Sequence, residues 1–417
     1  MKIKFLTYGC KVNRYETEVI KQNIGSGIKE SPGEPETYII NSCTVTEKID
    51  SEIRKKIRSL KKKGKKVILT GCLTRRKEAS GIISLADTVI ENRDKLNFSK
   101  YPPPFTRGKA GELLLEKFTG RTRAFVKVQD GCDRYCSYCI VPFVRGDGLI
   151  SRPVEEALRE ISLLADKGYK EIVITGVNLG LYGKGKGEKG GLLKLLKEAA
   201  ALKRKIRFRL SSIGPAELQD DIIDFAAESG GKICPHFHMS LQSADPVILK
   251  KMNRNYTPGD FEKKAAYITS KIKEPGLTTD VIAGFPGEGD KEFKNTLKAV
   301  KSLPLSRLHV FPYSDRPGTA AAAMENKVPE TVKKERVKEL IKLGREKERE
   351  FINKSAGKKR VVLVQEGEKK GRLYGYTENY IYTSIKFVKG VENKLLRVKI
   401  LKAGQKEAEA EPVSAVI

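Results

Sequence analysis

Gly131-Cys132-Asp133-Arg134-Tyr135-Cys136-Ser137-Tyr138-Cys139 sets three soft thiolates in one short loop and supplies no fourth. Thiolates of this kind select zinc, copper(I) or an iron–sulfur cluster. A closed structural zinc site wants a fourth Cys or His close by, and the next histidines, His236 and His238, lie far along the chain. The spacing excludes a small zinc finger. A [4Fe-4S] cluster held at three of its irons would keep one iron free for a cofactor, whereas three redox thiols are the rival reading.

Working outward, a β-rich run at 123–128 delivers this loop. Further strand patterns fall at 171–175, 206–211, 238–241, 278–283 and 308–311, with helical patterns such as 154–167 between them. Six such units predict a partial (βα)6 barrel over residues 118–350, with its chemistry at the carboxyl ends of the strands. A long charged helix from about Pro329 closes it. The glycine- and lysine-rich stretch 184–191 lacks the Gly-Lys-Ser/Thr ending of a phosphate loop and reads as a surface loop.

Residues 1–105 alternate short β runs with helix-compatible stretches, which predicts an open α/β sheet of the Rossmann or flavodoxin kind. Three of the runs end alike: 3–8 before Gly9-Cys10, 37–41 before Ser42-Cys43, and 67–70 before Gly71-Cys72. Ligands bind at that edge of open α/β sheets. One such cysteine reads as a small buried hydrophobe; three in the same topological position read as a second cluster site. The stretch 25–36 reads as a loop within this domain and 101–105 as the linker out of it.

Residues 352–417 change character again, with short strands at 360–364, 380–384 and 396–401 in basic surroundings, and predict a small all-β barrel of an RNA-binding kind. Tyr374, Tyr376 and Tyr380 either pack its core or stack on bases. The last dozen residues, rich in Ala and Glu, are expected to fray. The formal charge of +29 and pI near 9.7 favour a polyanionic partner. Lys61 to Lys66 reads as a solvated helix end. No apolar run approaches the roughly eighteen residues of a membrane span. The strand-like start carries no signal-peptide pattern, so the expected location is cytoplasmic, where seven cysteines favour ligand or catalytic roles over disulfides.

These motifs together resemble the radical S-adenosylmethionine (SAM) methylthiotransferases along nearly the whole chain. Thr7 to Asn13, Asn41 to Thr46 and Thr70-Gly71-Cys72 are similar to the family's amino-terminal domain. The cluster loop with Ile140-Val141-Pro142, Ser151-Arg152-Pro153, Thr175 to Asn178, His238 to Ser243, Lys251 to Arg254, Asp280 to Gly287 and His309 to Thr319 resembles its core, and the last barrel resembles its TRAM domain. Two places depart from the pattern, Arg145 to Ile150 and Ala244-Asp245-Pro246. The start Gly9-Cys10-Lys11-Val12-Asn13 resembles the branch acting on N6-threonylcarbamoyladenosine beside the tRNA anticodon.

The resemblance implies two [4Fe-4S] clusters and SAM as cofactors. Cys132, Cys136 and Cys139 would hold the cluster that binds SAM, whose cleavage yields the radical that takes hydrogen from C2 of the adenine. Cys10, Cys43 and Cys72 would hold the cluster that delivers sulfur. Tyr138 is expected to meet the SAM adenine, Asn178 and Gln242 to offer polar contacts, and Arg152 to balance the SAM carboxylate. Cys234 is expected to be a buried structural cysteine, and His236, His238 and His309 to be core or supporting groups. The expected partners are tRNA, an external electron donor and a sulfur source, with the protein a monomer and no membrane involved. The alternatives are a methylthiotransferase for isopentenyladenosine tRNA or for a ribosomal protein, and a non-enzymatic iron–sulfur or zinc RNA-binding protein.

Overall fold

The computed structural model describes residues 2–24, 29–30, 34–102, 114–186, 191–404 and 407–413. Most of the 25–36 loop, the linker from 103 and residues 187–190 lie outside these. In the first domain β1 (Lys2–Thr7), β2 (Lys29–Glu30), β3 (Thr37–Ser42), β4 (Lys66–Gly71) and β5 (Thr88–Val89) form one parallel sheet in the order β2-β1-β3-β4-β5. Phe5, Ile39 and Ile68 stand in register. Every residue of β3 is buried, as expected for a central parallel strand covered on both faces. Helices Lys11–Asn23 and Glu47–Lys62 make the crossovers. The register aligns the ends of β1, β3 and β4, so the residues that follow, Cys10, Cys43 and Cys72, leave the sheet along one edge.

The second domain begins with β6 (Ala124–Lys127), followed by a small antiparallel ribbon of β7 (Gln129–Asp130) and β8 (Ile150–Ser151) around the cysteine loop. Then β9 (Glu171–Thr175) and β10 (Arg207–Leu210) extend β6 into one parallel sheet. A second comprises β11 (His236–His238), β12 (Gly276–Ala283) and β13 (Arg307–Pro312). Bridges Phe208↔Ile233 and Ile213↔Met239 join the two into one curved wall. Its helices, among them Val154–Asp166, Gly191–Ala201 and Pro258–Lys271, pack outside. Leu164, Ile172, Leu195, Phe208 and Phe261 form part of the shared core, each fully buried. The edge strands are β6 and β13, so the barrel is partial. Helix Lys11–Asn23 of the first domain packs against β6, and the closing helix Glu330–Lys354 against β13.

The third domain is a closed barrel of β14 (Lys359–Val364), β15 (Arg372–Thr377), β16 (Tyr382–Lys386), β17 (Leu395–Ala403) and β18 (Ala408–Pro412), in the order β14-β15-β16-β18-β17. The expectation of a frayed end fails for 408–412, because β18 is the strand that closes the barrel; 414–417 lie outside the described residues. Composition misleads there because Ala-Glu-Ala-Glu has period two: Ala408 and Ala410 are buried inward while Glu409 and Glu411 face out. Tyr374 and Tyr376 alternate outward on β15, so they do not fill the core; Leu373 and Thr377 do.

Candidate active site

Three strand-end turns, two of them preceded by glycine and one by Ser42, set the first cysteine triad. Gly9 has φ +94°, and a Cβ there would lie 2.6 Å from Cβ of Cys43; Gly71 has φ +93°, and a Cβ would lie 2.4 Å from the Ser42 carbonyl. Only glycine fits either place. The Asn13 side chain donates to the carbonyls of Tyr8 (2.8 Å) and Ser42 (2.9 Å), and Asn41 donates to the Asn13 carbonyl (2.9 Å), so the motif asparagines clamp the strand ends together. Cys10, Cys43 and Cys72 all line one cavity of ≈ 210 Å³ with Arg145, Thr175 and Ser212. Thr175 ends β9 and Ser212 follows β10, so this cavity joins the amino-terminal sheet edge to the carboxyl end of the barrel strands.

The second triad is tied from below. Gly131 has φ +75°, and a Cβ would meet the Gly148 carbonyl at 2.0 Å. The Ser137 N–H donates to the Met252 carbonyl (3.0 Å), its hydroxyl to the Lys251 carbonyl (2.7 Å), and Asn253 donates to the Tyr135 carbonyl (3.0 Å). Thus the Lys251-Met252-Asn253-Arg254 motif holds the loop. Arg254 donates to Sγ of Cys136 at 3.1 Å. Ile140, directly after Cys139, packs with Val144 against Cys72, so only a thin apolar wall separates the triads.

Burial pushes the thiols of Cys43 and Cys139 up to about 12, each also raised by a neighbouring cysteine. Burial likewise raises Cys72, opposed by Arg145 and Lys95. Charge compensation is therefore built in. The Arg145 side chain is buried and donates to Asp130 (3.0 Å), Glu16 (3.1 Å) and Asn13 while facing Cys72 and Cys10. Neither Arg145 nor Arg254 stands out in the sequence as a site residue, because their partners are distant in sequence; a lone basic residue in an otherwise depleted motif was the available signal for Arg145.

Among the described residues, only His238, Asp280 and His309 bring three ligand atoms within 4.8 Å of one another. Neither cysteine triad is drawn that tight. A single tetrahedral zinc, with Zn–S about 2.3 Å, needs sulfurs about 3.8 Å apart. Two open triads of soft thiolates, spaced wider than one ion requires and each backed by an arginine, fit iron–sulfur clusters.

Asn178, Cys136 and Arg254 line a second cavity of ≈ 150 Å³, and Oδ1 of Asn178 is buried with no hydrogen-bond partner. Tyr138 packs on Ile248, Met252 and Phe285. Gln242, beyond the end of β11, holds φ +62° and bridges to Val281 of β12, its N–H donating to the Asp280 carbonyl (2.8 Å). The structure does not bring Arg152 to this group. Its guanidinium is engaged by Glu160, which is fully buried, and by Tyr15 at 3.4 Å, so it ties the first domain to the barrel. Cys234 is buried, and burial raises its thiol to about 11.

Residues 126–300 match the Radical SAM superfamily and residues 2–90 the uncharacterized protein family UPF0004. The threonylcarbamoyladenosine tRNA methylthiotransferase MtaB of Thermotoga maritima is 37% identical over 91% of this chain and 90% of its own, and that of Aquifex aeolicus 36% over 96% and 100%. The tRNA-2-methylthio-N(6)-dimethylallyladenosine synthase of Fervidobacterium nodosum is 32% identical over 90% of each. The chain belongs to the radical-SAM methylthiotransferase family. Among solved structures, the radical SAM methyltransferase TsrM of Kitasatospora setae shares the fold, with TM-score 0.50 and 13% identity over 74% of this chain and 73% of that one. The methylthiotransferase is thus an enzyme that transfers a methylthio group with SAM and [4Fe-4S] chemistry, and the non-enzymatic reading is set aside. Among the described residues no helix is long and apolar enough to cross a membrane.

Proposed function

We propose that this methylthiotransferase modifies C2 of N6-threonylcarbamoyladenosine beside the anticodon of tRNA in the cytoplasm. The observation that carries the reading is the pair of cysteine triads on either side of one thin wall, with the sulfur-side triad open to a cavity at the carboxyl ends of the barrel strands. Cys132, Cys136 and Cys139 would hold the cluster that leaves an iron open to SAM, and Cys10, Cys43 and Cys72 the second. Together the clusters and SAM supply a radical for an unactivated aromatic C–H, with the sulfur and methyl that replace the hydrogen. The protein orients them. The unpartnered Oδ1 of Asn178 suits the SAM ammonium and Arg254 its carboxylate, while Gln242 edges the same strand ends.

The nucleic-acid partner is supported by the outer face of the carboxyl-terminal barrel, where Lys386, Lys389, Arg397 and Lys399 are exposed. A protein substrate would favour a less basic barrel. The threonylcarbamoyl branch is supported by the relatives named above. After anaerobic reconstitution, Cys132→Ala is expected to abolish SAM cleavage, whereas Cys10→Ala spares cleavage and stops methylthio product. Unchanged product with Cys10→Ala would remove the second-cluster assignment. Mass spectrometry of tRNA nucleosides from a deletion strain should show loss of the 2-methylthio form of threonylcarbamoyladenosine; loss of the dimethylallyl form instead would reassign the branch.

A further inference from the structure

The wall of the partial barrel continues inward from the cavity at the cysteine triad. Ser212 meets Ser240 at 3.0 Å across the ends of two strands, and His238 shares a face with Ser240 two residues on. His238 and His309 both contact Asp280, at 3.1 and 3.3 Å, and stack with ring centroids 5.4 Å apart. Below them His236 stacks on Tyr380 at 4.2 Å, and Arg123 lies over Tyr376 and Tyr380 at 4.9 and 5.9 Å. Ser212 lines the triad cavity with Lys11, and Ser240, His238, Asp280, Tyr380 and Arg123, joined to it by the contacts above, are likewise only half-buried, so this part of the wall is a water-accessible hollow rather than a packed core.

Two cations face this hollow. Lys11, the residue after Cys10, lines the triad cavity, is in electrostatic reach of Arg123, Asp280 and Tyr380, and among the described residues has no ion-pair partner. Among the described carboxylates Arg123 pairs with Glu171 alone, at 3.5 Å, and that carboxylate is already held at 2.7 and 2.8 Å by Arg207 and Arg209. The local field is correspondingly positive: although burial raises Tyr380, Arg123, Lys11 and Arg209 outweigh it and hold the phenol below its usual range.

We propose that this hollow is a carboxylate-binding subsite, in which Lys11 and Arg123 receive the anionic amino-acid group borne on N6 of the target adenine. It rests on the threonylcarbamoyladenosine reading above. C2 and C6 flank N1, so N6 lies on the same edge of the purine as C2, and an adenine presenting C2 to the cavity lined by Cys10 and Lys11 can set its N6 substituent within reach of the lysine. A dimethylallyl group would leave Lys11 without a counter-charge and Arg123 with only its share of Glu171, which makes the subsite selective against it. The rival occupant is a divalent cation on His238, Asp280 and His309. The surplus positive charge opposes it, and both ring nitrogens of His238 are already engaged, by Thr278 at 2.8 Å and by Asp280.

The test compares two transcripts of one tRNA, bearing N6-threonylcarbamoyladenosine either as the free carboxylate or as its primary amide. Wild-type kcat/KM should fall about ten- to hundredfold on the amide, the range of one charge-assisted contact. Lys11→Met should process both slowly and nearly alike, and Lys11→Arg should restore part of the preference. Iron content and substrate-free SAM cleavage, measured alongside, separate loss of the subsite from loss of a cluster, and Arg123→Gln, at a residue that belongs to neither triad, should narrow the preference in the same direction. Equal wild-type turnover of carboxylate and amide would overturn the subsite while leaving the substrate reading intact. A wild-type enzyme inert on both but active on dimethylallyladenosine tRNA would overturn both. Binding of one Mn²⁺ per chain beyond cluster iron, abolished by His309→Ala, would replace the anion with a cation.

Discussion

Two arginines near the cluster loop have opposite surroundings. Arg254 donates to Cys136 and leaves its Nε unpartnered, beside a buried and equally unpartnered Asn178 oxygen. Unpaired polar atoms on a cavity wall are costly unless a ligand completes them. Arg152 has no such vacancy, because Glu160 and Tyr15 occupy it. Arg254→Gln is therefore expected to weaken SAM binding by about ten- to hundredfold with cluster iron retained, as read by equilibrium binding to reconstituted protein. Arg152→Gln should leave SAM affinity unchanged. It should instead cost about 3–5 kcal/mol of stability in urea unfolding, since Glu160 stays buried without its partner. Equal loss of SAM affinity in both variants would refute this division.

At the scale of elements, the three strand-to-helix turns of the first domain work as one device. The Gly9 turn passes so close to Cys43 that a methyl group has no place there, whereas Gly64, with φ +67°, has open space around its missing Cβ. Gly9→Ala should force the strand ends apart and drop iron from about eight to about four per chain, counting two four-iron clusters. Gly64→Ala carries only the left-handed backbone penalty of about 1–2 kcal/mol and should keep full iron. Iron and sulfide analysis of the two variants checks the contrast. These turns were legible from sequence because a strand, a small residue (Gly9, Ser42 or Gly71) and a cysteine recur at the same topological place three times. The cluster loop was legible because its ligands are contiguous. What was not legible joins residues far apart in sequence: Arg254 against Cys136 within the barrel, and Arg145 against Glu16 and Cys72 and the Lys11–Arg123 pair where the first domain meets the barrel. Likewise β18 pairs with two strands at once, and its small inward alanines suit the interior of a closed barrel, a constraint that Ala/Glu composition hides.

Across the whole molecule, Glu171 is the point where the catalytic barrel grips the basic one. Arg207 and Arg209, on its neighbouring strand, bind it and pass on to the carbonyls of Val361, Tyr376, Thr377 and Glu378 in the carboxyl-terminal barrel, at 2.8–3.1 Å. Burial opposes ionisation of Glu171, but Arg209, then Arg207 and Arg123, overcome it and hold its carboxyl well below the usual range. Because the folded pKa lies below the unfolded value of about 4.3, the contribution to stability is complete above that value and is lost progressively as pH falls below it. Glu171→Gln leaves two buried guanidinium groups short of charge and should cost about 3–5 kcal/mol at neutral pH. Urea unfolding of wild type and variant across pH 3 to 7 should show a gap that is constant from about pH 6 upward and narrows steadily below about pH 4. A gap independent of pH would mean that Glu171 acts through packing alone. A loss of tRNA binding by the variant at neutral pH, with both clusters intact, would further tie this carboxylate to the placement of the basic barrel over the substrate.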